Sequence, residues 1–231
     1  MKKYIFEFIA VFFGIIGGFL VEEFREKQNE IEDTQKALEF IYADLFADSI
    51  YYDQKIKRIK KNIEYLELGL NKTSMSVGNF RKLHAGLRRA EDYFIRDYGV
   101  TYLTHNIDNP RVQDESILTL ITTFHKTSTE SGDYGKFNKL YWEVTNENYV
   151  KLFEVFPNFF SSDTTLSNRE IRENIEIFLS DPYWIGRINL TYRECSGLII
   201  PVFEANRYWN NEIMRQLRTE IPDYIPQRIS D

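Results

Sequence analysis

Hydrophobic and polar positions divide this chain sharply near its start. Residues 4–21 form an apolar run whose only charged side chain is Glu7, with Lys2 and Lys3 ahead of it and the polar string Glu22-Glu23-Phe24-Arg25-Glu26-Lys27 behind. At about 1.5 Å of rise per residue, a helical run of this length covers roughly 27 Å, close to the hydrocarbon thickness of a bilayer. Residues 1–25 are therefore expected to form a single transmembrane anchor in contact with membrane lipid. A cleaved signal peptide is disfavoured, because Gly14, Gly17 and Gly18 offer no pair of small residues two apart ahead of the charges. Lys2 and Lys3, set against Glu22 and Glu23, orient the N-terminus toward the cytoplasm. Everything beyond the span is then exterior, periplasmic for a chain in the inner membrane of a Gram-negative cell. About three residues would remain inside, too few for a catalytic or docking module.

Small residues recur within the run at Ala10, Gly14 and Gly18, a spacing that lets two helix backbones approach closely. At 100° per residue, Glu7, Gly14, Gly18 and Arg25 lie within about 20° of one line down the helix. A lone carboxylate facing lipid is costly, so Glu7 has three readings. It faces another helix, it lines an ion or proton path, or it snorkels to the headgroups from one turn inside.

From Leu38 onward the apolar positions alternate in steps of four and three, through Tyr42, Leu45, Ser49, Tyr52, Ile56, Ile59, Ile63, Leu66 and Leu70. This is a coiled-coil-like seam with Ser49 as its weak point. No proline precedes Pro110 and no glycine lies between Gly18 and Gly69, so the membrane helix is expected to continue as one rod to Leu70. A break, if there is one, belongs in the polar stretch 26–33. Turn residues over 69–79 should end it. Further helices are expected over 80–98, 111–125 and 137–156. Residues 99–110 read as a loop, with Val100, Tyr102 and Leu103 in a short extended piece, and 127–136 read as a polar loop. Ser167 and Glu170 form a capping box for a helix to Leu179. Asp181 and Pro182 should cap and open a last helix running to about Thr219, kinked near Gly197 and Pro201. The expected class is all-α: a transmembrane helix continuing into a long helix packed in an antiparallel bundle over 26–221, with residues 222–231 as a tail.

Composition narrows the functional classes. The chain has 29 Lys and Arg against 35 Asp and Glu, a net charge of -6, and no basic tract, which opposes a nucleic-acid partner. With 36 aromatic residues, 18 of them Phe, 15 Tyr and 3 Trp, against 11 Gly and 6 Pro, the chain is neither disordered nor of low complexity. One cysteine, Cys195, excludes an internal disulfide framework and a cysteine-based zinc cluster. His84, His105 and His125 lack metal-ligand spacing and read as surface or packing residues. Gly132 to Lys136 resembles a phosphate loop but lacks the Gly-Lys-Ser/Thr ending and reads as a turn. The acid pairs Asp44 with Asp48 and Glu170 with Glu173, beside Asn174, have the form of a cation site or catalytic dyad, although solvated helix faces account for them more simply. Trp142, Trp184 and Trp209, with Tyr51, Tyr52, Tyr183 and Tyr208, would line a ligand pocket or, more in keeping with their helical spacing, fill a core. No catalytic residue, metal site or cofactor is expected, and the chain does not read as an enzyme.

Glu7, Gly14 followed by Ile15, Gly18 and the polar-aromatic-polar exit over 24–26 resemble a family of Bacteroidota single-pass membrane proteins classed as a domain of unknown function. That family opens with an apolar helix of the form Glu-x6-Gly-Ile-x-x-Ala followed by Asn-Asn-Trp-Asn. The polar helix over 37–70 and the Phe178-Leu-Ser-Asp-Pro segment are similar to its body. Here Glu22-Glu23-Phe24 stands in place of Asn-Asn-Trp, and Leu20 in place of a customary Gln. The resemblance implies a single-pass anchor with a helical exterior domain, and brings no known activity with it.

Two functional expectations follow. In the first, the chain is a membrane-anchored interaction or scaffold protein, forming a homo-oligomer through Ala10, Gly14 and Gly18 and presenting its exterior domain to a protein partner. In the alternative, several copies enclose an ion- or proton-conducting path with Glu7 in it.

Overall fold

The computed structural model describes the backbone of residues 2–71, 75–88, 95–129, 133–158 and 164–226, and within them the side chains of all but residues 2–8, 10, 88, 133–135, 137, 138, 141, 164 and 166. All regular structure among the described residues is helical. Helix α1 runs unbroken over Lys2–Leu70, with no interruption at 26–33. Its polar stretch is instead laced by Glu22–Arg25 and Glu23–Lys27 ion pairs at 3.4 and 2.6 Å, and by a Gln28–Glu32 hydrogen bond at 3.1 Å. There follow α2 (Val77–Arg88), α3 (Tyr98–Asn106), α4 (Glu115–Ser128), α5 (Asp133–Val155), α6 (Thr164–Ser180), α7 (Pro182–Glu194), a π-helical turn (Cys195–Ile199) and α8 (Ile200–Glu220).

Several sequence expectations need correction. The Ser76 hydroxyl accepts the Asn79 N–H at 3.1 Å, so α2 starts at Val77 and not at Phe80. It cannot reach Tyr98, because residues 95–97 are non-helical; Ala90 and Phe94, expected on its face, lie outside the described residues. The expected loop over 99–110 contains a helix, α3, and Val100, Tyr102 and Leu103 belong to it. The helix expected from Arg111 begins at Glu115, where Asp114 accepts the Ser116 N–H at 2.9 Å. Helical structure also enters the expected loop over 127–136 from both ends. Ser167 does not cap α6, which starts at Thr164; its buried hydroxyl donates instead to the Asn158 carbonyl. The Asp181–Pro182 start agrees with expectation, with the Asp181 carboxylate accepting the Tyr183 N–H at 2.8 Å. The bend expected near Pro201 takes the form of the π-helical turn. Proline has no N–H to give the carbonyl one turn back, and the Ile200 N–H reaches the Cys195 carbonyl across the wider turn.

The chain divides into two compact units. The first comprises Met1–Phe46, Arg96–Thr122 and Ile213–Asp231. Leu38, Ile41, Tyr42 and Leu45 of α1, Leu103 of α3, Ile117 and Ile121 of α4, and Ile213, Leu217 and Ile221 are buried in it. Polar ties reinforce this packing. Thr34, fully buried, accepts the Arg111 N–H at 3.0 Å and donates to the Glu30 carbonyl, while Glu220 accepts the N–H groups of Gln113 and Asp114 at 2.9 and 3.1 Å. The Tyr42 hydroxyl accepts two N–H bonds from the Arg218 guanidinium, at 3.1 and 2.8 Å.

The second unit comprises Ala47–Ile95 and Thr123–Glu212. Tyr52, Ile56, Ile59 and Leu66 of α1 are buried here against Phe80, Leu83 and Leu87 of α2, Leu152 of α5, Ile171 and Phe178 of α6, and Trp184 and Ile188 of α7. The rings of Phe80, Phe156, Phe178 and Trp184 form one aromatic group, with Trp184 stacked on Phe178 at 4.6 Å. Gly69 lies in the last turn of α1, where an added Cβ would meet Ile188 at 2.9 Å and Leu83 at 3.0 Å. Close helix approach, more than turn geometry, accounts for that glycine.

Candidate interaction site

The titratable residues singled out in the sequence are dispersed. His84 is buried in α2, His105 is exposed on α3 with Nδ1 3.0 Å from the Thr101 carbonyl, and His125 lies near the end of α4. Cys195 is buried and free of a disulfide. Asp44 is used as a helix cap, accepting the Gly99 N–H at 2.8 Å, and Asp48 is buried. Glu173 pairs with Arg169 at 3.7 Å, and the Asn174 side chain donates to the Glu170 backbone carbonyl. Among the described residues no group of three or more His, Cys, Asp or Glu could hold a metal ion. The tryptophans do not gather either. Trp184 belongs to the core, whereas Trp142 and Trp209 are exposed.

A polar knot in the second unit, buried at Asn148 and Thr191 and part-buried at Arg187, was not foreseen from sequence. Arg187 of α7 donates from Nε to Asn148 Oδ1 at 2.5 Å and from Nη2 to the Val144 carbonyl at 2.8 Å, and pairs with Glu147 at 3.0 Å. Asn148 in turn donates to the Leu87 carbonyl at 2.8 Å and to Thr191 at 3.0 Å. Burial pushes the Glu194 carboxyl above its ordinary range, and the Arg187 charge opposes that shift. The guanidinium binds groups of its own unit through Nε, Nη1 and Nη2, so the knot ties α7 to α5 and fixes their register. Its only sequence signal was an Asn and a Thr on helix faces that otherwise carry apolar residues.

The outstanding surface feature is on α1. From Val11 to Phe24 every apolar side chain is exposed, reaching 72% at Phe19 and 73% at Phe24. Contiguous exposed apolar surface is rare on soluble monomers and characteristic of interaction surfaces. Gly14 and Gly18 lie within it, and a Cβ added at either would meet no atom within 4 Å. The side chains of Glu7 and Ala10 lie outside the described residues. Among the described residues, no helix is long and apolar enough to cross a membrane; the apolar run of residues 4–21 begins ahead of the described side chains. The seam residues Leu38, Tyr42, Leu45, Tyr52, Ile56, Ile59 and Leu66 are buried, and Ser49, Ile63 and Leu70 half-buried.

Comparison of the chain with family models, curated proteins and solved structures finds no match.

Proposed function

We propose that this chain is a membrane-anchored helical interaction protein. Residues 1–25 cross the inner membrane once with the N-terminus cytoplasmic, and α1 continues outward into an antiparallel bundle formed by residues 26–221. Copies associate through Ala10, Gly14 and Gly18, and the exterior domain is offered to a protein partner. One observation carries the reading: a contiguous exposed apolar surface on the same unbroken helix whose seam residues are buried or half-buried from Leu38 to Leu70. The charges support the orientation, with Lys2 and Lys3 before the run and Glu22 and Glu23 after it. The resemblance to single-pass Bacteroidota proteins supports the same anchor.

The test is membrane fractionation, followed by mass determination of the full-length protein in nanodiscs, for the wild type and for a Gly14→Leu, Gly18→Leu variant. Both glycines face open space, so the leucines leave the single chain undisturbed and report on assembly alone. An oligomer that dissociates in the variant is the expected result. Release from membranes by alkaline carbonate would overturn the anchor, and an unchanged mass would overturn the packing face. A ring of four or more copies whose proton leak changes on Glu7→Gln would favour the conducting alternative.

A further inference from the structure

The four-three spacing of the buried seam does not stop at Leu38. Continued toward the N-terminus along the same helix, it passes through Gln35, Ile31, Gln28, Phe24 and Val21. Between residues 21 and 33 the only apolar side chains are Val21, Phe24 and Ile31, and all three fall on this line. They are also exposed, at 68%, 73% and 47%. Val21 and Phe24 close the proposed anchor, and Ile31 carries the same register into the polar segment beyond it, where a solitary solvated helix has no use for an apolar residue on that line.

We infer that residues 21–31 of α1 pair in parallel with the same segment of a second copy of this chain, forming a short two-stranded coiled coil. Flanking charges select that occupant. In a parallel pair, the residue preceding one core position faces the residue five places further on in the other strand. Lys27 thereby faces Glu32 of the second copy, and two-fold symmetry repeats the contact on the other side. Within one chain Lys27 pairs with Glu23, and Glu32 accepts from Gln28, all of them solvated contacts that exchange at little cost. Gln28, a polar residue at a core position, disfavours shifted registers. Two copies anchored in one membrane must run parallel, and for that orientation the inference rests on the proposed anchor.

Disulfide mapping on the full-length protein in nanodiscs tests it. Cysteines are introduced singly as Phe24→Cys, Gln28→Cys and Ile31→Cys on the stripe, and as Glu26→Cys and Asn29→Cys off it; Cys195 is buried and common to all. Oxidation should give linked dimers at the stripe positions at least tenfold faster than at the others. Lys27→Glu or Glu32→Lys alone should slow linking through position 28, and the two together should restore it. A rate independent of position, or no linking anywhere, overturns the coiled coil. A flat profile in an oligomer that Gly14→Leu, Gly18→Leu dissociates refutes the stalk pair and spares the glycine face. A periodic profile with unchanged mass in that leucine variant does the reverse.

Discussion

The carboxylate of Asp44 accepts the backbone N–H of Gly99 at 2.8 Å, capping α3 from a helix 55 residues away in sequence. The residue at the α3 N-cap position, Asp97, makes no side-chain capping bond, so the cap comes through tertiary structure. Burial raises the Asp44 carboxyl above its ordinary range, while the Gly99 N–H and the Arg96 charge hold it down. The folded state therefore retains a proton that the unfolded chain has already lost, and this group's contribution to stability falls as pH rises through the carboxylate range toward the folded pKa. An asparagine amide in its place keeps an acceptor for Gly99 and does not ionise. The stability of Asp44→Asn relative to wild type should therefore improve from pH 4 to pH 7, in thermal unfolding scans. Asp44→Ala should lose the cap, at about 1 kcal/mol.

Asp114 has the opposite sign. Hydrogen bonds from the Ser116 hydroxyl and N–H pull its carboxyl below the usual range. Its stabilisation is present at neutral pH and is lost as pH falls through the carboxylate range. The deficit of Asp114→Ala should be greatest near pH 7 and should shrink as pH falls through the carboxylate range, measured against wild type by the same scans.

Gly99 itself cannot accept a side chain. A Cβ there would lie 2.3 Å from the Ile41 nitrogen and 2.6 Å from its Cα, both backbone atoms that can move only by shifting α1. Gly99→Ala should destabilise the protein by on the order of 3 kcal/mol. Alanine at Gly186 or Gly197, where an added Cβ meets nothing within 4 Å, should leave the midpoint unchanged or raise it slightly. Melting temperatures of the three variants, measured side by side, check the contrast.

These residues show which parts of the fold were legible in sequence. The Asp181–Pro182 start is local chemistry, as cap and first helical residue are neighbours, and it could be read directly. The all-α class and the continuity of α1 also followed from local facts, namely helical periodicity and the lack of interior Gly and Pro. Helix α3 could not be read that way. Its glycine and β-branched residues argue against a helix, and what stabilises it is Asp44 together with the fit of Gly99 against Ile41. The Ser167 pattern misled for a related reason: a hydroxyl matching a capping box is buried three residues inside α6 and serves the Asn158 carbonyl. The apolar surface at the start of α1 was visible at once, whereas the Arg187–Asn148 knot depends on three helices meeting.

That knot should be strongly coupled. Asn148→Ala leaves the Arg187 Nε and the Leu87 carbonyl without their partner in a buried setting and should cost about 2–3 kcal/mol. Arg187→Met removes the charge together with its need for acceptors. The double variant should therefore lose less than the sum of the singles, a shortfall of about 1 kcal/mol or more in a double-mutant cycle by chemical denaturation. Strict additivity would show that the hydrogen bonds carry no coupling.

Asn62 presents the reverse case. It lies on α1, fully buried, where α2 approaches closely enough that a Cβ on Gly86 would be 3.2 Å from the Asn62 carbonyl. Neither its side-chain oxygen nor its nitrogen has a hydrogen-bond partner among the described residues. A buried amide in that condition has given up its hydration without replacement, whereas an apolar side chain of similar volume loses nothing there. Asn62→Leu should stabilise the second unit by about 1–2 kcal/mol, raising the melting temperature by about 2–8 °C for a chain of this size. Asn62→Ala removes the same polar atoms but opens a cavity, so it should recover less of that gain. If both variants are less stable than wild type, with alanine the worse by no more than its cavity, the amide is satisfied in solution and Asn62 belongs to the polar framework of its unit.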